Sequence, residues 1–293
     1  MNKLRKMAVI GITAMGLLSA GWATAADNRP PPLPIEPTNI IETLPDKYPE
    51  HWFLVHDAAF FHMSDGKVYV IDADAETEPE QVKGTFNVSL MGNITQSARR
   101  SEIYAMETFH TRGTRGDRLD VLTIWDQATL SPLGEVVWPE PKRFMGMPQR
   151  YAMLLLDNDR WLAVANFSPA TSVTLIDLDK REIINEIPTP GCAFIYPTGP
   201  LGFSSLCADG RFLSTELAKD GSVKKQTRTD AFFDSDDTPI YERPAVIGKT
   251  AYFPSLAGLV PPMGNVAASF QRTAVATISE SRVTGPMGGS ATG

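Results

Sequence analysis

Leu122-Thr123-Ile124-Trp125-Asp126 is an apolar run closing on an aspartate. Two more runs like it occur, Val68-Tyr69-Val70-Ile71-Asp72 upstream and Val173-Thr174-Leu175-Ile176-Asp177 downstream. β-Branched and aromatic residues suit a pleated strand, and an aspartate at its end suits the turn that follows. The three aspartates recur at intervals of roughly fifty residues, the period of a unit built from several short strands. After the second and third copies, residues 134–139 and 182–188 read as a further short strand closing at proline. This rhythm predicts the blades of a β-propeller, in which each small sheet buries its faces only against its neighbours. Such a platform carries function in its loops and in whatever docks on it.

Around these runs the pattern stays short and apolar. Strands are predicted at 52–55, 103–108, 119–125, 136–138, 151–156, 161–166, 193–196, 203–206 and 212–217. Turn residues punctuate them at Ser64-Asp65-Gly66, Asp157-Asn158-Asp159, Ala208-Asp209-Gly210 and Lys219-Asp220-Gly221. No long stretch has helical periodicity, so the fold class is all-β. Residues 46–258 hold about four units at this period. Residues 26–45, with Arg29-Pro30-Pro31-Pro32-Leu33-Pro34, read as an extended proline-rich arm. Residues 259–293 are rich in Gly, Ala, Ser and Thr and do not alternate, so a disordered low-complexity tail is expected there.

Residues 1–25 read as a cleaved export signal. Lys3, Arg5 and Lys6 precede an apolar stretch over 7–22, and Ala23-Thr24-Ala25 supplies small residues at a cleavage site. With no second long apolar segment, no membrane anchor is expected after cleavage. The net charge is −7, and loss of three signal-peptide cations makes the mature chain more acidic still. That balance argues against nucleic acid or an anionic membrane as partner, since both need a basic footprint.

The two cysteines, Cys192 and Cys207, flank the turn Pro197-Thr198-Gly199-Pro200. Strand, turn and strand would set them on neighbouring strands, and an oxidising compartment would let them pair.

The chemistry-bearing residues form no catalytic signature. His51, His56, His62 and His110 are not spaced as a metal pair, and there is no nucleophile elbow or phosphate loop. Phe109-His110-Thr111-Arg112-Gly113-Thr114-Arg115-Gly116-Asp117-Arg118-Leu119-Asp120 has two readings. Its arginines could clamp an anion or a partner chain, or they could pair with Asp117 and Asp120 in an ordinary solvated hairpin. Phe60-Phe61 and Phe232-Phe233 could line an apolar entrance or lie in a core. Asn87-Val88-Ser89 and Asn93-Ile94-Thr95 match a glycosylation acceptor by pattern alone.

Several of these segments resemble the heavy (non-cofactor) subunit of the quinoprotein amine dehydrogenases, the methylamine and aromatic amine dehydrogenases. The resemblance rests on Phe109, Arg112, Arg115, Gly116, Arg118 and Asp120 followed by the strand ending Trp125-Asp126. It continues through Asn166, Ser168-Pro169-Ala170, Val173 and Asp177, then Cys192 with Cys207, Asp209 and Gly210. Asp57 to Asp72 with Phe60-Phe61, then Asp236-Asp237, Pro244-Ala245 and Phe253-Pro254, extend it over residues 50–258.

The resemblance implies a periplasmic heavy subunit folded as a seven-bladed propeller, in a heterotetramer of two heavy and two small chains. The small chain would carry tryptophan tryptophylquinone and oxidise primary amines to aldehyde and ammonia. Electrons would pass to a blue-copper protein. This chain would then supply no catalytic group, metal or cofactor. It would place Phe60 or Phe61 at the substrate entrance, pair Cys192 with Cys207, and offer Arg112, Arg115 and Arg118 as subunit contacts. Seven units of about 50 residues need roughly 350. The resemblance stops near Gly258, so a truncated copy is expected.

Two competing classes remain at the level of sequence. One is a stand-alone exported propeller that binds a ligand without redox chemistry. The other is a propeller hydrolase holding a divalent metal at its axis, for which Asp72, Asp126 and Asp177 are the candidate ligands, against their reading as turn caps.

Overall fold

The computed structural model describes residues 42–58, 65–143, 147–247, 250–256, 258–260, 262–266, 269–272 and 276–277. It is an all-β assembly of antiparallel sheets, most of them meanders that follow chain order. The first sheet has strands β1 (Trp52–Asp57), β2 (Gly66–Asp72) and β3 (Val82–Val88), with a single helical turn α1 (Glu78–Gln81) before β3. The second comprises β4 (Asn93–Ser97), β5 (Glu102–Arg112), β6 (Arg115–Asp126) and β7 (Pro132–Val137). A short 3-10 turn leads into the third: β8 (Met153–Leu156), β9 (Trp161–Asn166), β10 (Ser172–Asp177) and β11 (Glu182–Pro188). The fourth holds β12 (Cys192–Pro197), β13 (Gly202–Cys207), β14 (Phe212–Leu217) and β15 (Val223–Arg228).

The pairing continues beyond the boundary expected at 258. A fifth sheet is formed by β16 (Ala245–Ile247), β17 (Thr250–Tyr252), β19 (Pro262–Val266) and β20 (Ser269–Arg272), with β17 hydrogen-bonded to β19. Strands β18 (Leu259–Val260) and β21 (Ala276–Thr277) make a separate pair. Residues 262–266 and 269–272 are thus paired in a sheet, within the stretch that the sequence reading assigns to a low-complexity tail. Residues 278–293, the export signal and most of the proline-rich arm lie outside the described residues. Leu44, at the end of that arm, donates its N–H to Ala128 O of the second sheet at 2.8 Å.

The stacking of the sheets follows from the period-two alternation of their central strands. Every residue of β9 and β10 is buried, so these strands have an apolar face on each side. Leu162, Val164 and Ile176 turn toward the second sheet, where they meet Tyr104, Met106, Leu122, Ile124 and Trp138. Their alternates Trp161, Ala163, Ala165, Val173 and Leu175 turn the other way, onto Ile195, Phe203 and Leu217 of the fourth sheet. Val68, Phe86 and Val88 join the first sheet to Ile103 and Ala105 of the second. Tyr196, Phe212 and Phe232 join the fourth to Ala251, Phe253 and Met263 of the fifth.

The first strands of consecutive four-stranded sheets touch, β4 with β8 and β8 with β12. The last strand of the fourth sheet, β15, is exposed at every position. Inner strands in mutual contact, buried middle strands and a solvated outer strand make the stack propeller-like. Among the described residues no helix is long and apolar enough to cross a membrane.

Cys192 and Cys207 are directly opposed across β12 and β13 and form a disulfide. The bond closes a segment with a sequence separation of 15. In the chain-entropy picture such a link removes about 3 kcal/mol of unfolded-state freedom. The double substitution Cys192→Ala/Cys207→Ala is expected to lower unfolding free energy by about 2–4 kcal/mol, measured from urea midpoints under oxidising conditions. An unchanged midpoint would show that the strand pairing alone fixes this region.

Candidate functional site

The aspartates that end the repeated strands are committed to their own turns. Asp126 Oδ1 accepts from Ala128 N, Thr129 N and the Thr129 hydroxyl at 3.1, 2.7 and 2.8 Å. Asp177 Oδ1 accepts from Asp179 N and Lys180 N, both at 3.0 Å, and Asp72 Oδ1 from Asp74 N at 3.0 Å. The Thr129 donors hold the Asp126 carboxyl below the ordinary carboxylate range. These are Asx turns, the capping reading of the motif. Among the described residues no group of three or more His, Cys, Asp or Glu is placed to hold a metal.

One end of the first two sheets carries strands that outrun their neighbours. Strand β4 pairs with β5 only from Glu102 to Met106, and β7 pairs with β6 only from Val121 to Trp125. Beyond these limits β5 and β6 continue together as a two-stranded arm, with Phe109 opposite Leu119, His110 opposite Arg118 and Arg112 opposite Arg115. The overhang from Thr108 to Arg112 is roughly 13 Å at ~3.3 Å per residue. The connection between β1 and β2 leaves at the same end. Asp57 pairs with Lys67 and Gly66 with Val88, and Ser89, which follows, meets the base of the arm. There Ser89 N donates to Glu107 Oε1 at 2.6 Å, and Thr108 N donates to Ser89 Oγ at 3.1 Å.

A buried polar knot ties this end together. Asp120 is 0% exposed and accepts from four groups. These are the Thr108 hydroxyl at 2.8 Å, Lys142 N at 2.8 Å, Arg143 N at 2.7 Å and an Arg118 guanidinium nitrogen at 3.3 Å. Arg143, 1% exposed, sits beside it in the connection from β7 to β8. Its guanidinium donates to Asn93 Oδ1 at 2.8 Å, to Thr108 Oγ1 at 3.1 Å and to Met91 O. Burial lowers its pKa to about 10 against the opposing pull of Asp120 and Glu107, so it stays cationic at neutral pH. Two connections, β3–β4 through Met91 and β7–β8 through Lys142 and Arg143, thus share one buried ion cluster with Asn93 of β4 and the root of the arm, an arrangement in which removing a single partner strands a charge.

His56 lies under the same end. Both of its ring nitrogens are buried without a hydrogen-bond partner among the described residues, and burial lowers its pKa. A Cβ at position 66 would stand 2.4 Å from His56 Nε2, so only glycine allows β2 to pass the ring.

The expected site residues divide clearly. Phe60, Phe61 and His62 lie outside the described residues. Arg118 folds back on Asp120, as the bland hairpin reading had it, while Arg112 and Arg115 stand exposed at the tip with no carboxylate partner among the described residues. Phe232 is a core residue stacked 4.9 Å from Phe212, which removes it from the docking candidates. Asn93 is buried, with Nδ2 donating to Gln149 O at 2.6 Å, so its acceptor motif is a structural hydrogen bond. Among the described residues, Trp52 packs on Tyr48, Trp125 on Phe86 and Trp161 beside Arg160, while Trp138 is bonded to Thr174. The roles of Arg143 and His56 had no sequence signal.

Glu107 supplies a test of the knot. Burial raises its carboxyl above the ordinary value of 4.5, while Thr123 and Ser89 donors pull the other way. The native chain therefore holds that proton more tightly than the unfolded chain. Its contribution to stability is full below 4.5 and fades as pH rises through the folded value. Glu107→Gln cannot ionise, so its stability relative to the parent should rise between about pH 5 and pH 8. Urea midpoints at both pH values check this, and a difference that does not move with pH would contradict it.

Sequence comparison adds the family. A family model described as methylamine dehydrogenase heavy chain (MADH) matches residues 51–258. The methylamine dehydrogenase heavy chain of Methylophilus methylotrophus is 28% identical over 172 residues, covering 59% of this chain and 41% of that one. That of Methylorubrum extorquens is 27% identical over 182 residues, covering 62% and 43%. The chain thus aligns with less than half the length of these relatives. Among solved structures, the dihydro-heme d1 dehydrogenase NirN in complex with DHE superposes with a TM-score of 0.52 at 16% identity. It covers 84% of this chain and 47% of its own, a likeness of fold alone. With its match across most of the described sheets, the chain belongs to the methylamine dehydrogenase heavy chain family.

Proposed function

We propose that this protein is the heavy subunit of a periplasmic amine dehydrogenase, exported by a cleaved signal and scaffolding a small subunit that carries tryptophan tryptophylquinone. The small chain oxidises primary amines to aldehyde and ammonia, and its electrons leave to a blue-copper protein. Two heavy and two small chains make the assembly. The observation that carries the reading is the shared end of the first two sheets. β1 ends and β2 begins at that end, where the arginine arm, rooted on the Asp120–Arg143 knot, also emerges, and Phe60 and Phe61 lie in sequence between those two strands. A scaffold that places an apolar entrance residue beside a partner's active site needs that geometry.

In this reading Arg112, Arg115 and Arg118 contact the small subunit, with Arg118 also bracing Asp120. Phe60 and Phe61 border the amine's path, so their side chains act on selectivity rather than on bond making.

The test is coexpression with the matching small subunit and its maturation proteins, beside a full-length family heavy chain as control. Co-purification and amine-dependent dye reduction are expected. Failure of both while the control succeeds would contradict the assignment. In an active complex, Phe61→Ala should change KM among amines of different bulk by severalfold and change kcat little. The opposite split would move this residue out of the entrance.

A further inference from the structure

The arm that overhangs the second sheet combines two features seldom left in solvent together. Phe109 and Leu119 face each other on one rung and are each 44% exposed. Around them residues 109–119 carry Arg112, Arg115 and Arg118 against the lone carboxylate of Asp117, on a chain whose net charge is −7. The local sign is thus opposite to that of the body that carries it.

The tip is also shaped. Gly116 has φ +98, and a Cβ there would lie 2.3 Å from Thr111 Oγ1 and 3.2 Å from the Arg112 guanidinium carbon. Glycine lets Thr111 accept the Asp117 N–H at 3.2 Å and lets the Arg112 fork lie against the strand. Below the tip, Asp120 fixes the root of both strands. An arm held at both ends loses little freedom on binding, which favours contact through it.

We propose that this arm is a docking spike for an acidic protein surface with an apolar socket, in which Phe109 and Leu119 fill the socket and Arg112 and Arg115 clamp carboxylates at its rim. Charge complementarity sets the sign of the partner, and the apolar rung sets its class. Aromatic and arginine anchors together are the composition of protein interface hot spots, whereas phosphate backbones reward cations alone. A second copy approaching on a two-fold axis through the same patch would bring arginines against arginines. Identifying the socket with the small subunit rests on the function proposed above; the chemistry of the spike does not.

The experiment uses the full chain and two independent probes. The first is a labelled synthetic peptide of glutamates interspersed with phenylalanine and leucine, followed by fluorescence anisotropy at low and physiological salt. Arg112→Glu/Arg115→Glu should weaken binding at least tenfold and flatten its salt dependence. Phe109→Ser/Leu119→Ser should weaken it comparably while leaving the salt dependence in place. Arg112→Lys/Arg115→Lys should retain much of the affinity. Equal urea midpoints certify that the variants fold.

Absent or variant-insensitive peptide binding would overturn the proposal. So would equal competition by duplex DNA or phosphatidylglycerol vesicles, or an oligomer of the chain alone that dissolves in the arm variants. The second probe is the small subunit, read by co-purification. If the peptide results hold but the small subunit ignores the arm variants, the spike stands and its identification with that subunit falls. If the small subunit does not bind even the parent chain, the heavy-subunit reading falls, and the peptide alone decides the spike.

Discussion

The second, third and fourth sheets of this protein each have two apolar faces and no way to bury either alone, and that constraint organises everything else. Strands β9 and β10 show it most plainly. Leu162 and Val164 enter one interface, while Trp161, Ala163 and Ala165 enter the opposite one. Full burial of a side chain of this size contributes about 1.5–3 kcal/mol. The third sheet is therefore stabilised by its two neighbours more than by its own ladder. The same dependence passes from sheet to sheet through Val68 and Phe86 at one extreme and Phe253 and Met263 at the other. A stack of this kind leaves its connections free to vary, and the connections are where the candidate site lies.

The Asp120–Arg143 knot converts that freedom into a defined surface. Asp120 alone gathers donors from β5, β6 and the β7–β8 connection, and Arg143 extends the cluster to Met91 and Asn93. Buried ions are costly unless every one is paired, so the cluster forms only when all the segments are in register. The outcome is a rigid root for the arm. In the function proposed above, scaffolding a partner would ask for such a root.

Legibility in the sequence followed the physics of each part. The repeated strands were readable because fully buried strands advertise themselves as apolar runs, and the aspartates because an Asx turn needs that side chain at that place. The disulfide followed from two cysteines spanning a turn. Strands β4 and β15 carried no such signal. Asn93-Ile94-Thr95-Gln96-Ser97 is polar because it is an inner strand with Asn93 bonded to Arg143, and Val223–Arg228 because it is an outer strand in solvent. The knot was half visible. Asp120 belonged to a recognisable motif, but nothing local to Arg143 announces a partner 23 positions earlier. Phe60 and Phe61 rest on resemblance alone.

The mutual dependence of the sheets is the central claim, and native-state hydrogen exchange tests it most directly. Amides of β5, β6, β9, β10 and β13 should open with one common free energy, equal to that of global unfolding. They should shift together when a single interface residue such as Leu162 is truncated. Sheets that exchange at separate, unrelated free energies would mean that each is stable alone, and the stacked account would be wrong.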